Sequence, residues 1–155
     1  MRRFVILFCF IFLSFSSGIE KAEFYSFFKS NDKKSIEAGI KFITNTSHSN
    51  IKNAYLGALI MKSAPNSKLS ERLKIFKRGK LLLEYGIQQE PLNAEFRFLR
   101  FVIQENCPKF LGYSANLNED KQLIIEKHNT LEVIVKNEIN AYCTESALLS
   151  IEDLK

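Results

Sequence analysis

The chain has 155 residues, 46% of them hydrophobic, with a formal net charge of +5 and a mean hydropathy of −0.10. That is one domain by length, with ample apolar material for a packed core. The cations are spread along the sequence rather than blocked, which argues against a nucleic-acid binder built on a concentrated basic patch with aromatic platforms.

The first eighteen residues read as a signal peptide. Met1-Arg2-Arg3 is a charged n-region, Phe4 to Leu13 is an uninterrupted apolar run, and Ser14-Phe15-Ser16 and Ser16-Ser17-Gly18 are small-x-small cleavage patterns. The run is about half of the roughly 20 residues a membrane span needs, so a retained anchor is the weaker reading. Cys9 lies inside that run without the small residues that precede a lipidated cysteine. Cleavage after Gly18 leaves 137 residues and, by removing Arg2 and Arg3, a net charge of +3. The expected organisation is residues 1–18 as signal peptide and 19–155 as a single helical domain, exported to the periplasm or the extracellular space. No stable membrane span is expected after cleavage.

Along the mature chain, Glu20 to Lys29 is a first helix with Phe24, Phe27 and Phe28 on one side. Ser30-Asn31-Asp32 breaks it and caps a second, Lys33 to Ile43, with a stripe of Ile36, Ile40 and Ile43. Thr44 to Asn50 is polar and reads as a loop. Asn45-Thr46-Ser47 fits a glycosylation sequon, which matters only in a eukaryotic source. Ile51 to Ala64 is apolar nearly all round, as in a helix buried among others, and Gly57 and Ala58 would admit a close neighbour. Ala64-Pro65-Asn66-Ser67 is a turn, with Ser67 or Ser70 available as the next cap.

The central hairpin spans Leu69 to Tyr113. Taken at 100° per residue, its first helix places Leu69, Leu73, Ile75, Phe76, Gly79, Leu82, Leu83, Gly86 and Ile87 on one broad face, with Lys74, Lys77, Arg78 and Gln88 mostly opposite. Two helix-interior glycines cost about 1 kcal/mol each against alanine, so Gly79 and Gly86 mark a close helix approach. Pro91 ends the helix and Asn93 suits the cap of the next. Beyond it, Pro108 to Asn118 is irregular with Gly112 as a turn. A helix then opens at Asn118-Glu119-Asp120 and runs to His128, and another covers Leu131 to Tyr142. Residues 144–155 add a short terminal helix, and no strand pair stands out.

Gly79, Leu83, Gly86 and Pro91 resemble the small–large–small–proline spacing of the second helix of a tetratricopeptide repeat, and Leu56-Gly57 resembles the leucine-glycine step of its first helix. The distance from Leu56 to Pro91 exceeds a standard repeat, which makes this one degenerate copy with an insertion around Ser63–Ser67. The string from Ala54 to Tyr113, above all FRFLRFVIQENCPKFLGY, also resembles a family of uncharacterised exported proteins of Bacteroidota-type bacteria. That likeness covers the central half of the chain and implies no activity.

Chemistry is sparse. His48 and His128 stand apart, one in a loop and one near a helix end, and exposure is the ordinary state of such residues. No His or Cys pair has metal-ligand spacing, no glycine-rich loop precedes a helix, and no serine sits in a nucleophile elbow, so neither metal nor cofactor is expected. Cys107 and Cys143 allow one disulfide in an oxidising compartment, and two separate thiols are the other reading. A bridge would close a loop of about 37 residues, worth on the order of 4 kcal/mol in chain entropy. The polar strip on the second central helix is more distinctive. Arg97, Arg100 and Gln104 fall within about 60° of one another on a helix that is otherwise mostly aromatic and aliphatic. Two arginines there could clamp a carboxylate, with Glu105, Asn106 and Tyr113 nearby, or could pair with Glu84, Glu90 or Glu95 and finish the surface.

The expected fold is all-α, a small bundle or stack of antiparallel helix pairs, tetratricopeptide-like and preceded by the signal peptide. The expected role is a non-enzymatic interaction or scaffold protein of the cell envelope whose partner is protein or peptide. A ligand-binding protein or an enzyme using Arg97, Arg100, Gln104 and Glu105 is the alternative. A deep pocket beside that strip favours the alternative, and a flat or filled surface favours the scaffold.

Overall fold

The computed structural model describes residues 20–46 and 50–155, so the signal-peptide reading, Cys9 and His48 lie outside the described residues. The described residues form seven α-helices: α1 (20–29), α2 (Lys33–Thr46), α3 (Asn50–Ser63), α4 (Leu69–Gln89), α5 (Ala94–Asn106), α6 (Leu117–Lys127) and α7 (Val133–Tyr142). Single 3-10 turns at Ala64–Asn66, Lys109–Leu111, His128–Thr130 and Glu152–Leu154 join or finish them, and there is no strand among the described residues. The all-α expectation therefore holds, while the short helix expected in residues 144–155 is reduced to the single turn Glu152–Leu154.

Helix α3 is the hub, packed against α2, α4 and α5. Ala54, Tyr55, Ala58, Leu59, Ile60 and Met61 are all buried, as the near-absence of charge on that segment implied. Its tightest contact is with α4. A Cβ added at Gly57 would lie 2.4 Å from the Leu83 backbone nitrogen and 2.7 Å from the Gly79 carbonyl. At Gly79 it would meet Met61 Cγ at 2.6 Å, and at Gly86 the Ala54 Cβ at 3.0 Å. The order of these contacts, Ala54 on Gly86 and Met61 on Gly79, runs the two helices antiparallel. Missing side chains let the backbones touch, which is why two costly glycines sit inside one helix.

Local chemistry sets the joints. Asn93 Oδ1 accepts from the amides of Glu95 (3.1 Å) and Phe96 (3.2 Å), the expected cap of α5. Asp32 Oδ2 caps α2 by accepting from Ser35 N at 2.8 Å. Gly112 takes the left-handed conformation, φ 58°. Two joints differ from expectation. Helix α2 runs on through Thr44 and Thr46, whose hydroxyls bond back to the carbonyls of Ile40 and Phe42 at 2.7 Å and so stay within the helix. Neither Ser67 nor Ser70 caps α4: the cap residue is Lys68, without a side-chain bond, and the Ser67 hydroxyl turns back to the Ser63 carbonyl.

The apolar face of α4 also needs correction. Phe76, Leu83 and Ile87 are buried, but Leu69 is 80% exposed and Leu73 is exposed as well. Helix α4 has 21 residues against 14 in α3, about 31 Å against 21 Å. Antiparallel pairing from Gly86 downwards exhausts α3 before the first turns of α4 are reached, so those leucines have nothing to pack on.

On the other side, α1 lays Phe24 flat on Tyr55 of α3, with ring centroids 3.7 Å apart. Helix α6 packs on α5, and the Tyr142 ring of α7 meets Phe98 and Phe101 edge-on. The last residues fold back, burying Leu149.

Candidate functional site

The strip on α5 is filled by the protein itself. Arg100 makes a bidentate pair with Asp120 of α6, Nε to Oδ2 at 2.7 Å and Nη2 to Oδ1 at 2.6 Å, and its Nη1 reaches Glu84 of α4 at 2.8 Å. Arg97 shares Asp120 at 3.0 Å, pairs with Glu119 at 3.0 Å, and donates to the Pro91 carbonyl. Tyr113 donates its hydroxyl to the other oxygen of Glu84 at 2.5 Å. Asp120 is 0% exposed, and Arg100 and Tyr113 are buried. Burial alone pulls the Arg100 guanidinium down, but the bonds and charge of Asp120 and Glu84 outweigh it and hold the group above its ordinary value. The Tyr113 phenol is pushed up by burial and then by the Glu84 carboxylate.

Two guanidinium cations thus face three carboxylates, Asp120, Glu84 and Glu119. A further anion brought to Arg97 and Arg100 would add to a negative surplus, so the arrangement is poorly suited to clamping an incoming carboxylate. Its evident job is to join α4, α5 and α6. Gln104 sits at the margin of this network, its Nε2 3.5 Å from Asn116 Oδ1 and its buried Oε1 without a protein partner. The expected pairing with Glu84 is present, whereas Glu90 and Glu95 are occupied elsewhere. Glu90 accepts from Asn93 Nδ2 at 2.8 Å. Glu95 lies on the far side of α5, where it accepts from Lys21 (2.7 Å), Tyr25 (3.2 Å) and Tyr55 (2.5 Å). Lys21 extends that cluster to Glu132 of the α6–α7 connection at 3.0 Å.

Glu105 does not join Arg97 and Arg100. Its carboxylate holds the C-terminal segment, accepting from the Tyr142 hydroxyl at 2.7 Å, from the Ser146 hydroxyl, and from the amides of Ala147 (2.8 Å) and Leu148 (3.1 Å). Asn106 donates to Tyr142 as well, at 2.7 Å. Cys107 and Cys143 are free and half-buried. The Cys107 thiol points at the carbonyls of Gln104 and Tyr113, and burial pushes both thiols up. His128 departs from the exposed state expected of it: it is buried, with Nε2 3.0 Å from Asn140 Oδ1. Among the described residues no group of three or more His, Cys, Asp or Glu side chains is arranged to hold a metal ion.

A shallow recess of about 280 Å³ is bordered by Lys21, Asn93, Glu95, Thr130 and Glu132. It lies over the Glu95 cluster, whose polar atoms already satisfy one another.

The open surface is the outer side of α4. Leu69, Leu73, Lys77, Leu81 and Tyr85 follow one another at intervals of four and form a single ridge, with Leu81 73% exposed. Between residues 68 and 80 stand six cations, Lys68, Arg72, Lys74, Lys77, Arg78 and Lys80, and one acid, Glu71. Lys80 caps the Tyr113 ring at 4.7 Å, and Arg72 bonds the Ser67 carbonyl. Lys74, Lys77 and Arg78 are exposed and form no ion pair among the described residues. Six cations thus share one 13-residue stretch, a local cluster that the reading of evenly spread charge passed over. The sequence contained the signal, as alternating cations and leucines opposite Gly79 and Leu83, but only the fold shows that no helix covers them.

Set against known proteins, the chain matches no family model, no curated protein and no solved structure.

Proposed function

We propose that this is an exported, non-enzymatic interaction protein of the cell envelope, with the outer face of α4 as its docking surface. The observation that carries the reading is the contrast in partnering: the arginine strip is filled by Asp120, Glu84 and Glu119, while Lys74, Lys77 and Arg78 stand unpaired among exposed leucines. A soluble helical protein has little reason to keep Leu69, Leu73, Leu81 and Tyr85 on one ridge in water unless something covers them. The charged start and apolar run of the first eighteen residues support export to the periplasm or beyond. The antiparallel glycine contact of α3 and α4 supports the tetratricopeptide-like reading of the hairpin, an architecture whose usual work is holding other molecules.

Photo-crosslinking in producing cells tests it. A photoreactive residue at position 81 of α4 should give adducts, and the same residue at exposed position 126 of α6 should not. Equal labelling at both positions, or none at 81, would reject α4 as the docking face.

A further inference from the structure

The partner of the α4 face follows from its chemistry, if that face is the docking surface. Three features must be satisfied together: unpaired cations, separate aliphatic side chains, and a convex shape. Nucleic acid offers phosphates but no apolar phase for Leu73 and Leu81. A second copy of this chain would bring Lys74, Lys77 and Arg78 against themselves. An acidic protein would have to provide a groove matched to a ridge of four apolar side chains interrupted by Lys77. A bilayer with anionic headgroups provides phosphates at the surface and an acyl layer just beneath, and it yields around a protruding ridge.

The rest of the surroundings agree. Phe110 is 86% exposed in the turn Lys109–Leu111, beside exposed Lys109. Three residues later the Tyr113 ring packs edge-on to Phe76, centroids 5.7 Å apart, and under Lys80. This anchors the residue three positions past the turn at the margin of α4. Glu84, the acid nearest that margin, is occupied by Arg100 and Tyr113 and so offers little opposing charge. None of the described helices is long and apolar enough to cross a membrane, so α4 would lie on one rather than span it.

We infer that the α4 ridge, with Lys74, Lys77 and Arg78 as headgroup contacts and Leu73 and Leu81 as shallow apolar anchors, docks the protein on an anionic membrane surface. The inference rests on the reading of α4 as the docking face and adds the kind of partner.

Co-sedimentation of the full chain with vesicles decides it. Vesicles of phosphatidylglycerol and phosphatidylethanolamine should carry the protein down, and neutral phosphatidylcholine vesicles should not. Changing Lys74, Lys77 and Arg78 together to Gln should weaken binding on the order of a hundredfold. Changing Lys34, Lys41 and Lys155 to Gln, the same loss of net charge elsewhere, should weaken it far less. The pair Leu73→Ser and Leu81→Ser should lower binding at unchanged charge, with an unaltered circular dichroism spectrum. Equal binding by all variants would place the membrane contact outside α4 and overturn the inference, as would equal losses in the two lysine sets. Failure to bind vesicles, with binding to soluble polyglutamate that needs Lys74, Lys77 and Arg78, would also overturn it while leaving α4 as a docking face for an acidic protein. Failure with both probes, together with no crosslinks at position 81, would remove the docking face itself.

Discussion

Two helices of one hairpin carry polar residues in comparable density, and the fold treats them oppositely. On α5, Arg97 and Arg100 are turned inward and matched with carboxylates from α4 and α6. On α4, Lys74, Lys77 and Arg78 face out with no acid opposite, and four apolar side chains are left in water beside them. The strip that looked most like a site is an internal brace, and the helix that looked mainly like core packing presents the open surface. Charge on a helix becomes evidence of function only after its internal partners have been accounted for.

The largest expected effect breaks the brace. Asp120→Ala would take the bidentate partner from the buried Arg100 guanidinium, leaving it Glu84, and would leave Arg97 with Glu119; removing one member of such a buried pair costs about 3–5 kcal/mol. Urea unfolding of purified protein measures it, and a loss below about 1 kcal/mol would show that water takes over the role of Asp120.

Residues 81 and 83 sharpen the comparison within α4 itself. Leu83 is fully buried, so Leu83→Ala should cost about 2–5 kcal/mol. Leu81→Ala, two residues away on the outer face, should change stability by less than about 0.5 kcal/mol. Similar losses from both would mean that the ridge is covered within the protein.

The glycine contact comes next. Gly57→Ala gains helix propensity of about 1 kcal/mol. It also drives a Cβ against the α4 backbone, where only movement of a whole helix makes room. Overpacking of this kind typically costs 1–3 kcal/mol, and the net should be a lowered midpoint in thermal unfolding. A raised midpoint would show that the helices part without penalty.

The smallest effect concerns acid. Asp153, partly exposed on the C-terminal segment, accepts from Ser150 and Lys121, and those bonds, led by the Ser150 amide, lower its carboxyl from 3.8 to about 2. A depressed carboxyl contributes its stability above the unfolded value and loses it as pH falls through the folded one. Amide exchange at Ser150 should therefore rise, relative to the helices, as pH falls from about 4 towards 2. An equal rise throughout the helices would assign the effect to global unfolding.

Much of this was legible before the fold. Helix positions, the Asn93 cap, the buried character of α3 and the glycines at the α3–α4 contact follow from residue spacing and short-range bonding, because a helix is closed by neighbours three and four residues away. Even the separation of Glu95 from Arg97 and Arg100 is implicit, since they stand at least 140° apart on an ideal helix. Other features needed the third dimension. The Arg100–Asp120 pair spans 20 residues and the Lys21–Glu95 pair 74, and an ion pair chooses among carboxylates by distances between helices that no spacing along the chain encodes. The exposure of Leu69 and Leu73 was equally out of reach, because an apolar stripe states which side of a helix seeks cover, while the length and register of the neighbouring helix decide how much of it is covered.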